Sequence, residues 1–245
     1  MVIIETKDLC KKYGEKIVVN NLNLQINEGE LYSLLGANGA GKTTTIKMLS
    51  CLIKPTSGDA FLMGNSIIKN PYKVKKIINV SPQETAIAPN LTVRENLELI
   101  AGIYGISKTN IKTKVDEIIN EFYLNEIEND LAKTLSGGWQ RRLSITMALI
   151  SEPKILFLDE PTLGLDVISR RELWHIIKKL KNKVTIILTT HYLEEVEALS
   201  DRVGIMAKGI LKAEGTIEQL KKKSGKDSFE DAFVELASGG QIWEY

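Results

Sequence analysis

The chain has 245 residues, 43% of them hydrophobic and 26% charged, a balance that excludes collagen-like, disordered and disulfide-scaffold classes. Lys and Arg number 32 against 31 Asp and Glu, a formal charge of +1, so bulk charge gives no reason to expect a nucleic-acid partner. No run approaches the roughly 18 apolar residues of a membrane span. The opening stretch, with acids at Glu5 and Asp8, is not a secretory signal. Cys10 and Cys51 have no metal-ligand spacing and read as reduced thiols.

Residues up to 35 read as strands. Leu22, Leu24 and Ile26 alternate with Asn23, Gln25 and Asn27, the period of a half-buried strand. Leu31–Leu35 is a short buried strand that stops at Gly36. A helix is predicted from Lys42 to Ile53, ended by Lys54-Pro55. Thr92-Val93-Arg94-Glu95 matches a capping box. Val115, Ile118, Ile119 and Phe122 follow at helical spacing, and Leu143, Met147 and Ile150 do so again. Residues of about 84–152 thus form a mostly helical insertion, with a core before it (1–83) and after it (153–220). Ile155–Leu158 and Val184–Leu188 are buried strands, and Leu173, Ile176, Ile177 and Leu180 make one helix face between them. Strands alternating with helices predict an α/β fold with a parallel sheet. Val203–Met206 and Ile210–Ala213 form a late hairpin. Residues 221–245 are a tail that opens with Lys221-Lys222-Lys223, read as a solvated charge run, and closes with Gln241–Tyr245.

Residues 36–43, Gly-Ala-Asn-Gly-Ala-Gly-Lys-Thr, fit G-x-x-x-x-G-K-[ST] between a predicted strand and a predicted helix, the context a phosphate loop requires. The amides of Gly36, Asn38, Gly39, Ala40, Gly41 and Thr44 can converge on phosphate oxygens, and the helix adds its positive end. Lys42 is placed to reach the β- and γ-phosphates and the Thr43 hydroxyl to ligate Mg²⁺. No G-x-G-x-x-G is present, which argues against a dinucleotide fold. The strand at 155–158 delivers Asp159 and Glu160 to its C-terminal end, where open α/β sheets bind ligands. Asp159 would hold Mg²⁺ through water. Strand alternation turns Glu160 to the other side, as the group that polarises an attacking water.

Leu135-Ser136-Gly137-Gly138-Trp139-Gln140-Arg141-Arg142 makes the pattern specific. With the loop at 36–43 and the acids at 159–160, the chain resembles the nucleotide-binding subunit of an ABC transporter over roughly residues 3–220. That resemblance implies a P-loop core with a parallel sheet, an antiparallel β subdomain at the N-terminus and the inserted helical subdomain. It implies ATP and Mg²⁺ as cofactors. It also implies a pair of cassettes, two copies of this chain or one with a related subunit. ATP would lie between the phosphate loop of one and Ser136, Gly137 and Gly138 of the other. A Ser-Gly-Gly segment at a helix N-terminus is a second anion cradle, which suits a nucleotide shared between chains. By the same resemblance, Gln83 senses Mg²⁺ and the attacking water, His191 contacts the γ-phosphate and supports Glu160, Tyr13 stacks on adenine, and Leu163–Asp166 couples the two sites. Two departures stand out: Trp139 sits where relatives often have Gln, and Leu163 where they often have Ser. The other histidine, His175, falls off its helix's apolar face and is solvated. Thr92–Leu97 and the segment Ser228–Leu236 resemble ATP-binding subunits of bacterial drug and polysaccharide exporters. This implies a separate membrane permease, no nucleic acid, and a cytoplasmic place on the inner face of the membrane. An importer subunit, or a soluble ABC-type ATPase without a permease, are the alternatives.

Overall fold

The computed structural model describes residues 1–239; the closing residues Gln241–Tyr245 lie outside that range. The chain opens with β1 (Val2–Tyr13), which turns at Gly14 into β2 (Lys16–Leu22). Leu22, Leu24 and Ile26 are all buried, as their alternation requires. They do not share one strand, however. The ladder breaks at Asn23 and Leu24, after β2 ends at Leu22, and β3 (Gln25–Asn27) pairs separately with β1. Thr6 repairs the interrupted ladder: its Oγ1 donates to the Leu22 carbonyl (2.8 Å) and accepts from the Leu24 amide (2.9 Å).

The fully buried β4 (Leu31–Leu35) leads through the glycine loop into α1 (Lys42–Leu49). This helix is shorter than the apolar pattern to Ile53 predicts. The Ser50 hydroxyl donates back to the Ile46 carbonyl at 2.7 Å, and Cys51 takes a left-handed conformation (φ 57°). The amides of Leu52 and Ile53 then fold onto the Lys47 carbonyl. Next come β5 (Ser57–Leu62), β6 (Asn65–Ser66), α2 (Pro71–Lys75) and β7 (Ile78–Ser81). The first sheet is antiparallel in the order β2-β1-β5-β6, with β3 also on β1.

Between β7 and the next strand lie α3 (Val93–Ile103), α4 (Lys108–Glu121), a short 3₁₀ turn at Ala132–Thr134, and α5 (Gly137–Leu149). The capping box at Thr92 and Glu95 closes in both directions, with Glu95 N–H donating to Thr92 Oγ1 and Thr92 N–H to Glu95 Oε2. Arg94 clamps this block, pairing with Asp116 on α4 (2.8 Å) and with Glu128 beyond it (2.6 Å). Strands and helices then alternate: β8 (Ile155–Asp159), α6 (Val167–Leu180), β9 (Thr185–Thr190), α7 (Leu193–Leu199), β10 (Arg202–Ala207) and β11 (Ile210–Gly215). Helices α8 (Ile217–Ser224) and α9 (Phe229–Ser238) close the described chain. The late hairpin turns at Lys208 and Gly209, both left-handed, as a tight turn between twisted strands demands.

The second sheet runs β11-β10-β4-β9-β8-β7, parallel from β10 to β7, with β11 antiparallel at its edge. Its strands alternate between two cores. Leu156, Leu158, Ile186 and Leu188 face α5, α6 and the helical block, whereas Ile155, Phe157, Ile187 and Leu34 face α1 and the antiparallel sheet. Register sets the functional edge: Leu35 lies opposite Thr190, and Asp159 opposite Thr189. The ends of β4, β8 and β9 therefore meet at one rim.

Tyr32, fully buried on β4, presses its phenol against β10. A Cβ at Gly204 would stand 2.2 Å from the Tyr32 hydroxyl and 2.9 Å from Leu211 Cδ1. Gly204→Ala is expected to destabilise the fold by about 1–3 kcal/mol, read as a lower urea midpoint at unchanged slope.

Candidate nucleotide and catalytic site

The glycine loop is shaped by packing as much as by any ligand. A Cβ at Gly36 would sit 2.3 Å from the Met206 carbonyl, and one at Gly41 (φ 105°) 2.7 Å from the Val18 carbonyl. Strands β10 and β2 thus press the loop from two sides. Gly39 (φ 80°) has open space where a side chain would go, so its demand is conformational. The loop forms one wall of a cleft of about 340 Å³ lined by Asn38, Gly39, Ala40, Gly41, Lys42, Thr43 and Thr44, with Gln83, Glu160 and His191 opposite. Val18 and Leu163, which carry no charge or hydroxyl to signal such a role, complete the lining.

Lys42 is nearly fully buried, and its Nζ donates to the carbonyls of Gly36 (2.7 Å) and Ala37 (3.3 Å). It also pairs with Glu160 Oε1 at 3.3 Å. One residue on, Thr43 Oγ1 donates to Asp159 Oδ1 at 3.0 Å. Both acids therefore reach the first turn of α1, and Glu160 does not turn away as strand alternation predicts. The cause is backbone: β8 ends at Asp159, and Glu160 adopts φ 45°, a conformation uncommon for a side chain of this size. Thr189 holds that turn. Its Oγ1 and its carbonyl both accept from the Glu160 amide at 3.1 Å, and its hydroxyl donates to Asp159 Oδ1.

His191 follows β9, with its Nδ1 3.2 Å from Glu160 Oε2. The distance suits an ion pair, yet the alignment makes no hydrogen bond, and Nδ1 is otherwise buried without a partner among the described residues. We therefore read the contact as proximity rather than as a bond. Tyr13, at the end of β1, is half-exposed outside the cleft lining, with the Lys11 ammonium 5.0 Å from its ring centroid. His175 is exposed.

Ser136, Gly137 and Gly138 are not brought to this cleft. They form the N-terminus of α5, where Ser136 Oγ caps the Trp139 amide at 3.5 Å. A Cβ at Gly138 would lie 2.9 Å from Ser169 Oγ, so this glycine also allows α5 to approach α6. Trp139 lies under the Arg142 guanidinium (4.1 Å to the ring centroid), and Arg142 pairs with Glu172 at 3.0 Å.

The residue that sequence reasoning missed is Arg141. Only 4% exposed on α5, it donates through Nε to the Pro161 carbonyl (2.7 Å). Its other nitrogens reach the carbonyls of Pro82, Gln83 (3.0 Å), Glu160 (2.8 Å) and, more distantly, Asp159 (3.4 Å). Burial pulls its pKa below the ordinary guanidinium value, opposed by the negative charges of Asp159, Glu195 and Glu160. No local signal marks it apart from its neighbour Arg142.

The donor set fits a magnesium nucleotide. Thr43 and Asp159 offer adjacent hard oxygens, and among the described residues no cluster of three or more His, Cys, Asp or Glu side chains could cage a metal alone. Such a site suits an ion that takes most of its ligands from phosphates and water. A parallel-sheet edge that runs into a glycine loop, with a buried lysine, a threonine and two carboxylates meeting beside it, is that of a P-loop nucleoside triphosphatase. A family model described as ABC transporter matches residues 19–163, and the chain belongs to that family as an ABC-type ATPase cassette.

Relatives agree. The chain is 39% identical over 225 residues to the daunorubicin/doxorubicin resistance ATP-binding protein DrrA of Streptomyces peucetius, covering 91% of this chain and 68% of that protein. A solved ATP-binding subunit of an ABC transporter superposes with a TM-score of 0.84 at 30% identity, over 96% of this chain and 99% of that one. A dimeric post-hydrolysis ATP-binding cassette bound to ADP and Pi superposes at 0.77 with 28% identity, over 87% and 98%. Several other curated relatives are much longer, and the chain spans only 13% to 41% of their length.

Arg141→Met would take the donor from the carbonyls of Pro82, Gln83 and Pro161, while that of Glu160 keeps the Leu163 amide. The expected loss is about 3 kcal/mol or more in chemical denaturation, with Arg141→Lys recovering less than half of it.

Proposed function

We propose that this chain binds and hydrolyses ATP as the motor subunit of a transporter whose membrane pathway lies in a separate permease, and that the transport is export. The observation that carries the reading is the crossing of loop and acids: Lys42 on Glu160 and Thr43 on Asp159, at the rim of one parallel sheet. Lys42 and the loop amides would neutralise charge building on the β- and γ-phosphates. Glu160 would orient a water in line with the γ-phosphate, and His191 would face the same phosphate from the side of Glu160. Thr43 and Asp159, with Gln83 at the edge, would hold Mg²⁺, which adds charge neutralisation across the phosphates. Catalysis here is positioning and electrostatics, because transfer of the γ-phosphoryl from ADP to water needs little covalent help.

The second cradle belongs to a partner. Ser136, Gly137 and Gly138 lie outside the cleft of their own chain. In the proposed arrangement two cassettes face head to tail, and each lends this helix end to the other's ATP, with Tyr13 against the adenine. The dimeric form of a related cassette supports that geometry. The helical block, joined to the cleft at Gln83, would carry opening and closing to the permease. No helix of the described residues is long and apolar enough to cross a membrane, so the membrane pathway is assigned to another polypeptide or segment. Export rests on the drug-resistance ATP-binding protein that resembles this chain. The working location would be the cytoplasmic face of a membrane.

Glu160→Gln is expected to keep ATP affinity within a few-fold while turnover falls by roughly 100-fold or more, and to accumulate an ATP-bound dimer in light scattering. Turnover at the normal rate would remove Glu160 from the mechanism. Ser136→Arg should bind ATP as a monomer yet fail to dimerise with it; dimers equal to those of the unaltered protein would defeat the shared site.

A further inference from the structure

His191 is held beside Glu160 without an aligned hydrogen bond at the nitrogen that faces it. Something other than a hydrogen bond must set the angle of the imidazole. The ring packed on it is Tyr192, with centroids 4.2 Å apart and planes inclined by 40°. Against the same ring stands the Arg170 guanidinium, 4.9 Å from the Tyr192 centroid. Arg170 also pairs with Glu194 at 3.4 Å, and its Nε is buried without a hydrogen-bond partner, so the guanidinium is located by the ring and by Glu194. One helical turn on, Trp174 Nε1 donates to the buried Glu195 at 3.2 Å. Residues 170 and 174 share a face of α6, and that face grips the segment following His191 at two points.

We propose that Tyr192, backed by Arg170, is a positioning residue for hydrolysis. The stack Arg170–Tyr192–His191 fixes the imidazole against Glu160. Because Asp166 caps the N-terminus of α6, a shift of the Leu163–Asp166 segment would reach His191 through that helix. The physical basis is that a cation and a second ring, both packed against one aromatic ring, restrain tilt without a directional bond. A restraint of this kind acts on geometry: an error of about 1 Å at a catalytic group costs up to roughly 100-fold in rate. The inference rests on the proposed role of His191 in ATP hydrolysis.

The chain has two histidines, and His175 is exposed and is not a member of the stack, so ¹³C-histidine labelling yields one reporter and one internal control. In Tyr192→Ala the His191 imidazole signal is expected to move while that of His175 stays. For ATP with Mg²⁺, kcat should fall by roughly 10-fold or more with KM changed less than about 2-fold. Tyr192→Phe, which keeps the ring, should recover most of the loss. Arg170→Ala should give the same pattern more weakly, and it serves if Tyr192→Ala does not fold. An unmoved His191 signal, an unchanged kcat, or failure of Tyr192→Phe to recover the loss would overturn the proposal. His191→Ala separates the two readings. If that variant hydrolyses ATP at the normal rate, the catalytic role of His191 fails, whereas the imidazole signal still decides whether Tyr192 positions it.

Discussion

One buried guanidinium joins the parts of this molecule that must act together. Arg141 sits on the helix whose N-terminus is Ser136, and it holds the carbonyls of the Gln83 loop, of the turn at Glu160 and of Pro161 beyond it. A guanidinium can do this because it offers five N–H donors in a fixed plane, enough to satisfy several carbonyls at once. Among the described residues no carboxylate is hydrogen-bonded to it; carbonyl dipoles and the nearby charges of Asp159, Glu160 and Glu195 compensate its desolvation instead. The consequence is mechanical. Arg141 ties α5 to the loop at Gln83 and to the turn at the cleft acid.

The acids depend on a second constraint, the left-handed turn at Glu160. An extended residue there would have sent its carboxylate to the opposite face of the sheet from Asp159. With φ at 45°, both carboxylates reach the start of α1, one against an ammonium and the other against a hydroxyl. Thr189 supplies the compensation, spending its hydroxyl and its carbonyl on the two acidic residues. A strained backbone at a carboxylate, over-determined by a neighbouring strand, is the arrangement by which a fold stores precision at a reactive position.

Several small residues carry two duties. Gly36 and Gly41 belong to the proposed phosphate loop, yet each also lies where a neighbouring strand leaves no room for a methyl group. Gly138 stands at a helix end suited to anions and equally at a close crossing with Ser169. Packing and chemistry converge on the same positions because the cleft is built from the ends of strands and helices, where backbones approach most closely.

Much of the architecture was legible in the linear pattern, because the signals were local. The phosphate loop, the capping box at Thr92, the buried strands ending in acids and the hairpin around Lys208-Gly209 each declare themselves within a few residues. Other features were not legible in this way. Helix α1 stops at Leu49 because Ser50 and Cys51 leave the helical backbone, although apolar residues continue to Ile53. The alternating run at Leu22–Ile26 breaks into two strands because β1 must pair with both. The direction of Glu160 follows from a single left-handed residue. Arg141 acquires its role from carbonyls 18 to 59 residues away, which no spacing could announce. The sequence by itself determined which side chains could bind phosphate and which elements would carry them, since those depend on residue type and short-range period. Only the tertiary structure decided how the side chains face one another, because that depends on strand register and on buried groups that find their partners across the whole chain.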